Sequence, residues 1–240
     1  MIISSFIFLF IKDKESFKLI TIAVVLMDIL LVLICGFIAN KINFSEKVIK
    51  FKAESKFKNL IYSISLILGY ILIKCLIIYI LSKISYFSLL NHYESFFINS
   101  YLKHEKFLGY VIIFLQIIII GPILEEILFR GILLKSLLNK YYEKPFKAII
   151  YSSVVFAAIH MNLIQSITAF LGAFILGIIY YYTRSIKTCI FIHIINNFLA
   201  VARIPTNSLI AVIYLILGVY LINIGYRNLI NKNKKMSIKK

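Results

Sequence analysis

Residues 117–130 read Ile-Ile-Ile-Ile-Gly-Pro-Ile-Leu-Glu-Glu-Ile-Leu-Phe-Arg. Two adjacent carboxylates, Glu125 and Glu126, and one guanidinium, Arg130, sit in a run that is otherwise apolar. The run is continuous, unlike the ten-residue alternation of a membrane barrel strand, so the acids ride on a membrane helix. A carboxylate at that depth costs roughly 2.5 kcal/mol or more on insertion scales. Something has to offset that cost, and chemistry is expected here.

The rest of the chain has the same character. It has 240 residues, of which 61% are hydrophobic, and a mean hydropathy of +0.94, whereas a soluble domain is nearer ~45–50% apolar. The expected fold is all-α, a polytopic transmembrane helical bundle of about seven to eight spans. Windows near 20 residues place seven of them near 18–40, 58–82, 107–138, 147–160, 166–183, 188–202 and 208–226. The fourth and sixth are short. No linker or repeat divides the chain. Residues 1–106 read as amino-terminal spans and an exterior loop, 107–202 as a core carrying the chemistry, and 203–240 as a last span with a basic tail.

The formal net charge is +17. Nucleic-acid binding is set aside, because the lysines lie in short connections and tails between apolar spans, as at cytoplasmic membrane flanks. The basic groups at 41–58, 135–147, 184–187 and 227–240 share one face if there are seven spans. That face is expected to be cytoplasmic, at a bacterial plasma membrane, with the lipid bilayer as the chain's surroundings. Tyrosines at 141–142, 180–182 and 226 mark the same boundary, as an interfacial belt does. Cys35, Cys75 and Cys189 fall in apolar spans with no C-x-x-C, which supports neither a disulfide framework nor a thiolate zinc site. The stretch 1–11 reads as an interfacial segment or part of an eighth span. The connection 84–106, with His92, Glu94, His104 and Glu105, reads as an amphipathic helix lying on the bilayer.

Few ionisable residues lie inside spans: Asp28, Lys74, Glu125, Glu126, Arg130, His160 and His193. Such residues are functional candidates by default. Glu126 and Arg130 are four apart and share a helical face, as an ion pair requires. Glu125 points about 100° away and is left as a free base. Pro122, with Gly121 before it, predicts a kink beside Glu125. His160 follows Phe156 by four residues, and His193 precedes Asn197 by four; Asn196, at three, competes as a partner of His193. Two chemistries fit. In one, Glu125 and His160 activate a water while His193 and Asn197 stabilise an oxyanion. In the other, Glu125, His160 and His193 ligate zinc.

These residues resemble the three motifs of the CPBP family, the CAAX-protease and bacteriocin-processing (Abi) intramembrane proteases. Glu125-Glu126-Ile-Leu-Phe-Arg130 resembles E-E-x-x-x-R, Phe156-Ala-Ala-Ile-His160 resembles F-x-x-x-H, and His193-Ile-Ile-Asn-Asn197 resembles H-x-x-x-N. Gly172 and Gly177 fall in the small-residue helix expected between the last two. The resemblance implies an intramembrane endopeptidase, of metalloprotease or glutamate type. It makes Glu125 the base and His160 its assistant. It makes His193 and Asn197 the oxyanion hole, with Glu126, Arg130 and Phe156 in support. The implied partner is a membrane-associated peptide or protein substrate, in peptide maturation or bacteriocin self-immunity. A non-catalytic immunity or binding protein and a proton-coupled transporter are the alternatives; the transporter predicts paired half-repeats, which the sequence lacks.

Overall fold

The computed structural model describes residues 14–49, 51–52, 55–83, 107, 111, 113–160, 163–201, 207–232 and 234–235. The stretches 1–11 and 84–106, for which the sequence predicts interfacial segments, lie outside them. α1 (Lys14–Lys41) and α2 (Lys56–Ser82) come first. α3 runs without a break through Ile113–Ile120, Gly121–Glu126, Ile127–Leu134 and Lys135–Lys140. α4 (Pro145–Ala158), α5 (Leu163–Thr183), α6 (Ile186–Val201) and α7 (Ser208–Lys232) follow. Among the described residues the one β feature pairs β1 (Phe51–Lys52) with β2 (Lys234–Lys235), antiparallel.

The helices answer to the predicted spans, and their lengths sort them. Four are long and apolar enough to cross a membrane: Ile22–Lys41 within α1, all of α2, all of α5 and Ser208–Asn231 within α7. α4 and α6 are shorter apolar helices. At 1.5 Å per residue they reach only about 21 and 24 Å, against a hydrocarbon core of about 30 Å. The chain is a multi-pass helical membrane protein. Length and composition support four crossings; the further crossings expected from the sequence do not follow from them.

Glycine sets how closely the helices pack. α2 and α7 approach so that a Cβ on Gly69 would lie 2.6 Å from the Gly218 carbonyl, and one on Gly225 would lie 2.8 Å from the Tyr62 carbonyl. On α5, a Cβ on Gly177 would meet Ile149 of α4 at 2.7 Å, and one on Gly172 would meet the Tyr70 hydroxyl of α2 at 3.0 Å. That hydroxyl donates to the Thr168 carbonyl at 2.7 Å. In lipid, where no hydrophobic force draws helices together, such close backbone approach is a main source of association. Leu66, Ile67, Leu134, Ile149, Ile179 and Ile192 fill the shared core of α2 to α6.

The basic connections gather at one end of the bundle. Ser45 N–H donates to Asn139 Oδ1 at 2.9 Å, and Asn139 Nδ2 donates to the Asn43 carbonyl at 2.8 Å. Arg184, in the α5–α6 turn with φ 53°, donates to the Ile49 carbonyl at 3.0 Å. Its guanidinium lies 4.5 Å from the Phe44 ring centre and 4.8 Å from that of Tyr181. Burial pulls its pKa down, with Tyr181 and Tyr180 acting in the opposite sense. The β1–β2 pair brings the tail to the same place.

Candidate functional site

α3 carries the glutamates, and its backbone is not a plain α-helix. π-helical turns at Ile113–Ile120 and Ile127–Leu134 flank the α-helical turns of Gly121–Glu126. Such turns recur at functional sites because they re-aim side chains. Pro122 has no N–H to offer a carbonyl one turn back. The carbonyl of Ile117, five residues earlier, is met from outside instead: Asn197 Nδ2 of α6 donates to it at 2.9 Å. This bond ties α6 to the start of the site.

Glu126 is the buried centre, with no solvent exposure. Arg130 Nη1 donates to Glu126 Oε1 at 2.9 Å. Arg130 Nη2 donates to the Ala173 carbonyl of α5 at 3.1 Å, and its guanidinium lies 5.3 Å from the Phe156 ring centre. The same Glu126 Oε1 lies 2.8 Å from His193 Nδ1. Arginine stays charged in proteins, so its partner Glu126 is a carboxylate and only accepts. His193 Nδ1 therefore carries the proton. Nε2 is turned the other way, 3.7 Å from Glu125 Oε2. Glu125 keeps a side-chain exposure of 20%, against 7% for His193.

The sequence pairs Glu126 with Arg130 and leaves Glu125 free. The structure adds that His193 stands between both acids, so Glu126 also fixes the tautomer and ring of the histidine facing Glu125. His160 is held by its own helix. Its Nδ1 is 2.8 Å from the Phe156 carbonyl in its own helical turn, and it forms no ion pair with Glu125 among the described residues. The Phe156 ring centre lies 4.9 Å from that of His160 and 6.1 Å from that of His193. Phe129 meets Phe156 edge-on at 4.8 Å. Phe156 thus packs against both imidazoles.

Asn197 and Asn196 take up roles the spacing leaves open. Asn196 does not pair with His193. Its Nδ2 donates to Asn197 Oδ1 at 3.0 Å, and its Oδ1 accepts from Lys74 Nζ of α2 at 2.9 Å. Asp28 accepts from the buried Gln116 of α3, at 3.5 Å. Lys74 and Asp28 were legible only as polar residues in apolar runs; their partners are 122 and 88 residues away in sequence.

A metal ion would need donors brought to one point. Among the described residues no three His, Cys, Asp or Glu side chains are grouped to hold one. Glu125 Oε2 and His193 Nε2 face each other at 3.7 Å, while His193 Nδ1 is held by Glu126. Cys35, Cys75 and Cys189 are free thiols.

No curated protein and no solved structure matches the chain. Residues 107–199, which contain every motif residue from Glu125 to Asn197, match the family model described as type II CAAX prenyl endopeptidase, Rce1-like.

Proposed function

We propose that the chain hydrolyses a peptide bond of a membrane-associated peptide or protein, using a water activated by Glu125. One observation carries this: His193 is clasped by Glu126 through Nδ1 and presents Nε2 to Glu125 at 3.7 Å. That gap is too long for a direct hydrogen bond, and a water about 2.8 Å from each atom completes a triangle between them. Glu125 takes the water's proton as the oxygen attacks the scissile carbonyl, then passes it to the leaving amine as the intermediate collapses. The second N–H of Asn197 is the donor for the oxyanion. His160, packed beside Phe156, shapes the pocket wall. No step runs through a metal.

Both the bacteriocin-type peptides and the prenylated tails linked with this family are lipid-associated substrates. A chain rich in Ile, Lys, Asn, Phe and Tyr fits an AT-rich bacterial gene, which favours the peptides and a role in maturation or self-immunity. Purified protein should be offered internally quenched peptides, with and without a farnesylated cysteine. Glu125→Gln and Glu125→Ala are each expected to lose about 10²- to 10⁴-fold in cleavage rate, and cleavage by the unmutated chain is expected to survive a chelator. Full function of both variants in cells would mean that catalysis is not the mechanism.

A further inference from the structure

Among the described residues outside the matched segment, Lys74 reaches the site. Lys74 lies on α2, and residues 107–199 are the ones the family model covers. Its side chain is 9% exposed, among apolar neighbours, with the ammonium 5.6 Å from the Tyr70 ring centre. A buried intramembrane lysine is costly unless it has a task. Lys74 Nζ donates to Asn196 Oδ1 at 2.9 Å, Asn196 Nδ2 donates to Asn197 Oδ1 at 3.0 Å, and Asn197 Nδ2 donates to the Ile117 carbonyl at 2.9 Å. Every bond in this chain runs the same way.

The direction is fixed by chemistry at both ends. An ammonium only donates and a carbonyl only accepts, so neither amide can turn over without breaking two bonds. Hydrogen bonds in series also polarise one another. A positive charge at the head therefore makes each amide N–H beyond it a better donor.

We infer that Lys74 is a positioning residue for the proposed peptidase site, orienting and polarising the Asn197 amide through Asn196. This rests on the oxyanion role given to Asn197 above. It predicts that the amino-terminal helices complete the site rather than merely hold it in the membrane.

The test uses full-length protein in detergent and the quenched peptide it cleaves. Lys74→Met, close in shape but without donors, is expected to lower kcat roughly tenfold with KM unchanged. Lys74→Arg, which restores a charged donor, should recover most of that loss. Asn196→Leu breaks the same chain, so the double variant with Lys74→Met should be no slower than the worse single one. In ¹⁵N spectra the Asn197 side-chain amide should be shielded from water exchange in the parent and in Lys74→Arg, but not in Lys74→Met. That signal needs no substrate. An unchanged kcat and unchanged exchange in Lys74→Met would overturn the inference, and so would equal losses in Met and Arg variants with a lowered melting temperature. If Glu125→Gln is inactive while Lys74→Met is fully active, only the positioning role falls. If Glu125→Gln keeps full activity, the peptidase proposal falls.

Discussion

His193 has two ring nitrogens, and the bundle gives each a different carboxylate. Glu126 and Arg130 look like a structural ion pair in the sequence, and they are one, at 2.9 Å and almost wholly buried. Their second use is to hold the imidazole. Breaking a buried pair by removing one partner strands the other charge, at a cost of roughly 3–5 kcal/mol. Arg130→Met is therefore expected to unfold at a much lower temperature in detergent. Adding Glu126→Gln should recover part of the loss, because no bare carboxylate then remains. If Arg130→Met melts with the parent, Glu126 is not the buried anion described here.

At the scale of elements, α2 and α7 are packed on glycine. A Cβ on Gly218 would lie 2.8 Å from Ile73 Cγ1 and 2.9 Å from the Gly69 carbonyl, whereas one on Gly36 of α1 meets nothing within 4 Å. Gly218→Val should destabilise by about 1–3 kcal/mol or more, since a backbone carbonyl cannot yield as a side chain can. Gly36→Ala should be neutral or stabilising, since alanine is the better helix former. Thermal unfolding of the two variants side by side checks the contrast; equal shifts would sink it. α3 shows what periodicity could not foresee. A spacing of four predicts which residues share a face, and it places Glu126 over Arg130 correctly. It does not reveal the π-helical turns on either side of the pair, nor that the Ile117 carbonyl in the first of them is met by Asn197 of another helix.

Over the whole molecule, the four basic groups expected on one face contact one another through Asn139, Arg184 and the β1–β2 pair. Single cysteines replacing Glu46, Glu143 and Lys187, in a chain cleared of its own three, should all react with an impermeant maleimide from the same side of sealed vesicles. Labelling from opposite sides would break this arrangement. Helix positions were legible because transfer from water to lipid acts on each segment separately, and local composition records it. The motif residues were legible because an ionisable side chain in an apolar run stands out on cost alone.

The sequence by itself determined that the chain is a multi-pass helical membrane protein, where its helices run, and which polar side chains demand a reason. It also paired Glu126 with Arg130, since both lie within one helical turn. Only the tertiary structure decided that His193 sits between the two glutamates, that His160 and His193 both pack on Phe156, and that Lys74 reaches Asn196. The reason is physical. Burial in lipid and helical periodicity are local properties, readable residue by residue. A hydrogen bond between helices depends on how backbones approach and rotate, and that is set by glycine contacts and core packing far from the groups that are joined.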